Sequence, residues 1–245
     1  MIRPLPGSSG FLRRPTGRLY AAASALTSGA AAVGNDRAHA ATKYAVAPLL
    51  MLDLAAQPGA FSPARRTTMA TLLTALTGSA LGDHFMLAES RSTGTTARAH
   101  LRRSASAFAV QQLGLMTVLA RAGYRFRREA SVAAGVTLAA FAVADGLAAR
   151  RDGAGSTPDP VVAGYGVLLA SMAALTQGAP AGTGPFAAIR IGGPLFLVSD
   201  AVIVARQLLP EGPGRDVADG IVMSTYTAAL GLLVDGTARL RSWSQ

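Results

Sequence analysis

The sequence predicts an all-helical, polytopic membrane bundle of about eight transmembrane helices, and three observations carry that reading. Half of the 245 residues are hydrophobic and only 15% are charged, with a mean hydropathy of +0.34. The apolar residues fall in blocks separated by short stretches rich in arginine, proline and glycine, whereas a soluble domain spreads its charges more evenly. A helix needs about 20 mostly apolar residues to cross ~30 Å of hydrocarbon, so eight spans with short connections use nearly the whole chain.

Taken in order and bounded by charge, proline and glycine, the blocks are Gly17–Gly34, Ala40–Ala56, Thr68–Ala88, Ser104–Ala120, Ala130–Ala149, Pro160–Gln177, Phe186–Leu208 and Val217–Asp235. The first block is mostly alanine. Arg13 and Arg14 precede it and Ala38-His39-Ala40 follows it, a pattern that also fits a cleaved export signal. A retained first helix is expected, because the hydrophobic spans that follow need no such signal. Many of the blocks are rich in alanine, glycine, serine and threonine, which lets helices approach closely in a compact bundle. Residues 1–16 then form a basic cytoplasmic segment, 17–235 the bundle and 236–245 a short tail.

The net charge of +10 comes from arginines clustered between apolar blocks. Loop arginines in a membrane protein set topology and contact anionic lipid. Without aromatic residues interleaved among them they do not form a nucleic-acid surface, and no nucleic-acid partner is expected. More of them fall on the side of the two termini, so cytoplasmic termini in a multi-pass protein of a bacterial cell membrane are expected, although the basic loop Glu89–Arg103 pulls the other way. The chain has no cysteine, which removes disulfides, thiolate metal sites and cysteine nucleophiles together.

Ionisable side chains inside a span cost about 2.5–3.5 kcal/mol each on insertion scales. They persist when paired, when lining a wet cavity or when functional. Lys43, Asp83, His84, Asp145, Asp200 and Asp219 are the candidates. Alternate spans run in opposite directions. Lys43 and Asp219 lie early in even spans, and Asp83, Asp145 and Asp200 lie late in odd ones, so they all fall toward one face of the membrane. Three readings fit this placement. One is a buried ion-pair network in which Lys43 neutralises an aspartate. Another is a half-buried polar cavity open to one leaflet, suited to an amphiphile whose head enters while its chain stays in lipid. The third is ion or proton translocation. Arg190, Arg206, Asp53 and Asp235 sit near span ends and read as interfacial anchors. His84 is rotated ~100° from Asp83 around the helix and points elsewhere. The acids and histidines show no metal-binding spacing, so no metal site is expected.

Four segments resemble the YhhN-type lysoplasmalogenase family, eight-span membrane hydrolases of vinyl ether lysolipids. Thr42-Lys43-Tyr44-Ala45-Val46-Ala47-Pro48-Leu49-Leu50 is similar to the family's threonine-lysine segment, with Tyr44 where a proline is usual and Pro48 retained. Ser79-Ala80-Leu81-Gly82-Asp83-His84-Phe85-Met86-Leu87 resembles its serine and glycine-aspartate stretch. Gly193-Pro194-Leu195-Phe196-Leu197-Val198-Ser199-Asp200 resembles its glycine, phenylalanine and serine-aspartate stretch. Tyr226-Thr227-Ala228-Ala229-Leu230 resembles a tyrosine-containing stretch of its last helix. Many members carry a histidine in the fourth helix shortly after a phenylalanine. Here Phe108 is followed by Gln112 at that place, and glutamine forms hydrogen bonds but cannot shuttle a proton.

The resemblance implies cleavage of the vinyl ether bond of a lysoplasmalogen to a fatty aldehyde and a glycerophospho-alcohol, with lysolipid and membrane lipids as partners and no cofactor. Such a reaction needs one acid to protonate the carbon distal to the ether oxygen and a negative group facing the oxocarbenium ion, a demand like that of glycoside hydrolysis. Asp83 and Asp200 are the expected pair, and Lys43 sets which does what. Ser79, one turn before Asp83, and Ser199, beside Asp200, are candidates for supporting hydrogen bonds or for packing. Tyr226 and Gln112 complete the expected substrate-binding set. Two alternatives stand beside this reading, a small polytopic transporter and a non-catalytic lipid-binding membrane protein. The transporter lacks the usual sign of paired broken helices in two matching halves.

Overall fold

A computed structural model describes residues 8–151, 159–180, 187–206 and 209–240. Among them all regular structure is helical: α1 (Ser8–Phe11), α2 (Pro15–Ala32), α3 (Asp36–Ala55), α4 (Arg66–Glu89), α5 (Gly94–Arg121), α6 (Arg128–Arg151), α7 (Pro160–Thr176), α8 (Ala187–Arg206) and α9 (Pro213–Ala238). The long helices α2 to α9 follow the eight apolar blocks one for one. Two of them, α8 and α9, are long and apolar enough to cross a membrane, and α7 is apolar but shorter. The others are diluted by small residues or by charges such as Arg98, Arg102 and Arg103 in α5.

Local chemistry explains the helix ends. Pro15, Pro160 and Pro213 open α2, α7 and α9 at positions where a missing N–H costs nothing. Asn35 caps α3 by accepting from the Ala38 N–H, and Asp159 caps α7 by accepting from the Val161 N–H. Helix α5 starts at Gly94, well before Ser104. Charge ends a membrane span but does not end a helix, because arginine is a good helix former. Pro194 lies inside α8 and supplies no N–H to the Arg190 carbonyl. The Gln177 side chain donates to that carbonyl instead, at 2.8 Å.

The helices pack in a closed sequence, α2 on α3, α3 on α4, α4 on α5, α5 on α7, α7 on α8, α8 on α9 and α9 back on α2. Helix α6 lies against α7 and α8. Helix α9 also reaches α3, α4 and α5, and is buried along most of its length. Leu50, Leu72, Leu76, Leu115, Met172, Phe196 and Leu233 fill the interior. The α4–α5 contact depends on glycine. A Cβ at Gly78 would stand 2.6 Å from the Ala107 carbonyl oxygen, and one at Gly82 would stand 2.8 Å from the Phe108 ring. Two small residues four apart thus bring the helices together.

The end of the bundle at the C-termini of α3 and α9 is tied by charge. Asp53 and Asp235 are buried. Arg14 reaches Asp53 Oδ2 at 3.0 Å and Asp235 Oδ1 at 2.6 Å. The Thr16 hydroxyl donates to Asp53 at 2.6 Å, and Arg239 pairs with Asp235. Asp53 and Asp235 are the residues expected as separate interfacial anchors. They form one network, because α2 begins where α3 and α9 end. Tyr20, also on α2, donates to the Thr227 carbonyl.

Replacing Arg14 with Met leaves an oxygen of each buried aspartate without its cation. The expected loss is about 2–3 kcal/mol, measured as an earlier thermal transition in detergent. The exposed Arg37→Met change is expected to stay within about 0.5 kcal/mol. Equal melting of the two variants would show that the network carries no stability.

Candidate functional site

At the other end of α3, Lys43 points into the bundle and its Nζ lies 3.2 Å from Asp83 Oδ1 on α4. Only 2% of Asp83 and 8% of Lys43 is exposed. The Tyr226 hydroxyl of α9 donates to Asp83 Oδ2 at 2.9 Å and lies 2.6 Å from the Ser79 hydroxyl. Ser79 is one helical turn from Asp83, so its hydroxyl stands on the same face. Two helices, α3 and α9, therefore supply partners to a single carboxylate on α4, whose charge in a low dielectric requires them.

Aromatic rings continue this cluster across the bundle. Phe108 of α5 packs edge-on to Tyr226 at 6.1 Å and lies 6.2 Å from Tyr165 of α7. Phe196 meets Tyr226 at 5.4 Å, also edge-on. The Tyr165 hydroxyl donates to Asp200 Oδ2 of α8 at 2.7 Å. The Lys43, Asp83, Tyr226, Phe108, Tyr165 and Asp200 side chains thus form a continuous file from α3 to α8. The two carboxyl groups occupy its ends and differ in company. Asp83 faces an ammonium, while no cation among the described residues forms an ion pair with Asp200.

Gln112 is fully buried and lies near the Tyr165 hydroxyl, yet neither end of its amide makes a hydrogen bond of ordinary geometry. The adjacent Gln111 is buried in the same state. A buried, unpaired amide costs free energy. Its position beside the file makes it a group able to bind a polar atom brought in from outside.

Other sequence candidates go elsewhere. Ser199 does not join Asp200. It donates to the Val222 carbonyl at 3.0 Å and fastens α8 to α9. Asp219 pairs with Arg206 at the rim, and His84 meets Tyr44 on the exposed side of α3 and α4. The Asp145 side chain lies outside the described residues. On the rim, the hydrogen bond from Arg102 holds the Asp159 carboxyl below its ordinary range. Two hollows of about 320 and 270 Å³ involve Arg190 on α8 and the groove among α6, α7 and α8. None of the residues of the file lines either one. Tyr165 and Phe108 were not among the expected site residues. The available signal was a polar-tipped aromatic inside a nearly uncharged block, one of only five tyrosines in the chain.

A family model described as the YhhN family matches residues 38–237. No curated protein and no solved structure matches. The matched stretch runs from the first turn of α3 into the last of α9. It holds every residue of the file.

The Lys43–Asp83 pair has a stability signature. Lys43→Met leaves an uncompensated buried carboxylate and is expected to cost about 3–5 kcal/mol. Adding Asp83→Asn to that variant removes the orphaned charge and is expected to restore most of the loss. Thermal unfolding of the two variants checks this, and a double variant as unstable as Lys43→Met alone would contradict it.

Proposed function

Because the chain belongs to the YhhN family, we propose that it is a multi-pass membrane hydrolase that cleaves the vinyl ether bond of lysoplasmalogens to a fatty aldehyde and a glycerophospho-alcohol. In this reading α2 to α9 all cross the membrane of a bacterial cell, with both termini in the cytoplasm. The observation that carries it is the pair of carboxyl groups in unlike surroundings, Asp83 against Lys43 and Asp200 against Tyr165, at the two ends of one file of side chains.

The chemistry assigns the two ends different roles. Asp200, carrying a proton, gives it to the vinyl carbon distal to the ether oxygen. The π electrons form the new C–H bond, and the adjoining carbon and oxygen share the positive charge of an oxocarbenium ion. Asp83 is kept as a carboxylate by Lys43 and supplies the negative charge that this cation needs. Water adds to the cationic carbon and its proton returns to Asp200. The hemiacetal then collapses, the C–O bond to the glycerol breaks, and the departing oxygen takes the remaining proton. Tyr165 donates to one oxygen of Asp200 and so leaves the other for the substrate. The Gln112 amide is a hydrogen-bonding partner for the water or the ether oxygen. The half-buried Tyr165 and Asp200 give the file its more open end, while Asp83 is closed.

The direct test incubates the purified protein with a lysoplasmalogen and, separately, with an acyl lysophospholipid. Aldehyde from the first and no fatty acid from the second is the expected result. Asp83→Asn and Asp200→Asn should each lower aldehyde release by about a hundredfold or more, and the double variant should lose little beyond either single one. Full turnover by both well-folded single variants would overturn the assignment.

A further inference from the structure

Helices α6, α7 and α8 leave a groove of about 270 Å³ on the flank of the bundle. Its two walls are regular stripes, Pro194, Val198 and Ala201 on α8 and Ala130, Ala133 and Thr137 on α6. Spacings of three and four residues make each stripe one face of its helix. At 1.5 Å per residue each runs about 10 Å. One leaflet holds about half of the ~30 Å of hydrocarbon, so a groove of this length lies within a single leaflet.

One end of the groove is cationic. Gln177 of α7 lines the groove there and also lines the hollow of about 320 Å³ at Arg190, so the two are continuous. The Gln177 amide donates to the Arg190 carbonyl at 2.8 Å, and Arg190, four residues before Pro194, stands over the same face of α8. Arg127 accepts the Ser131 N–H in the first turn of α6 and is three residues before Ala130. Both arginines are exposed. Among the described residues neither has a carboxylate within ion-pair range. Arg125 and Arg128 add to this charge, and Glu129 is the one acid beside them in the sequence. The Tyr124 hydroxyl, within electrostatic reach of Arg190, is buried and makes no hydrogen bond.

We propose that this groove holds one acyl chain of an anionic bilayer phospholipid, with its phosphate at Arg190 and Arg127. An apolar channel that ends in unpaired guanidinium groups complements an amphiphile with a negative head and a hydrocarbon chain. The site is separate from the reacting groups, because no residue of the file from Lys43 to Asp200 lines the groove or the hollow. It rests on the membrane reading alone and not on the hydrolysis. In the topology proposed above the cationic end faces the cytoplasm, where the leaflet carries anionic lipid. Arginine binds phosphate through paired N–H donors, and the chain gains apolar contact with the alanines and Val198. Helix α6 lies against α7 and α8, so a lipid seated among the three fastens α6 to the bundle.

The test titrates phosphatidylglycerol or phosphatidylcholine into the full, delipidated chain in neutral detergent, and reads bound lipid by native mass spectrometry and the thermal transition on the same samples. The wild type should retain phosphatidylglycerol more tightly than phosphatidylcholine and melt later with it. Arg190→Gln should weaken phosphatidylglycerol about fivefold, the effect of one arginine at a charged bilayer surface. Ala133→Trp fills the groove from the exposed side of α6 and should abolish retention with Arg190 in place. Equal retention by the wild type and both variants, or equal retention of the two lipids by the wild type, would overturn the site. Inorganic phosphate that delays melting as much as phosphatidylglycerol would assign the arginines to free anions instead. Displacement by an equal concentration of acyl lysophospholipid would assign the groove to a single-chain lipid. A lipid-free dimer that Ala133→Trp dissolves would place a second copy there, and each of these three results contradicts the proposal.

Discussion

A carboxylate held away from water has to be satisfied by the protein around it, and the packing of this bundle follows from how Asp83 is satisfied. Its partners come from α3 through Lys43 and from α9 through Tyr226. Those two helices must therefore converge on α4 at one depth. Gly82, the residue before it, has no side chain because Phe108 occupies that space, and this brings α5 into the same cluster. Ser79 then fixes the Tyr226 hydroxyl from below. One buried charge thus sets the relative positions of four helices, where apolar contacts alone would tolerate sliding.

The ends of the bundle divide the work. At one end Arg14 binds Asp53 and Asp235, with Thr16 and Arg239 completing the set. Every carboxylate oxygen there has a partner, the condition under which a buried ionic network acts as a structural clamp. At the other end the polar groups are incompletely matched. Gln111 and Gln112 are buried with amides that make no hydrogen bond of ordinary geometry, and among the described residues Asp200 is held by the Tyr165 hydroxyl. A buried amide without a partner is a group that a ligand or water can use, which is why the proposed reaction is placed beside Gln112; Arg14 Nε and Gln57 Nε2 at the charged end are also unpaired. Helix α2 precedes the family match, yet Arg14 and Tyr20 join it to α3 and α9, so it packs as part of the same bundle.

The charged half of this arrangement was legible in the sequence. Lys43 and Asp83 stand out because apolar blocks rarely hold charge, and counting spans put them at matching depth. The neutral half was hidden. Tyr165 and Phe108 look like ordinary residues of a helix interior, and only the fold brings them between Tyr226 and Asp200. Ser199 shows the opposite case, since adjacency to Asp200 suggested a shared site. Successive residues on a helix point ~100° apart, and its hydroxyl serves α9 instead. Asp53 and Asp235 read as separate anchors because nothing in a linear sequence shows that α2 starts beside the ends of α3 and α9. Eight blocks became eight long helices, but among the described residues hydropathy and length mark α8 and α9 alone as spans. The small residues that let helices pack closely also lower the apolar signal.

The proposed reaction turns on proton transfer to carbon, and carbon keeps a record of it. Purified protein turning over a lysoplasmalogen in deuterium oxide should release aldehyde with one deuterium on the carbon next to the carbonyl, above the level that enters the aldehyde on standing in the same buffer. The glycerophospho-alcohol should be recovered in equal amount. Recovery of intact lysolipid, or aldehyde without that deuterium, would contradict vinyl ether protonation by this bundle.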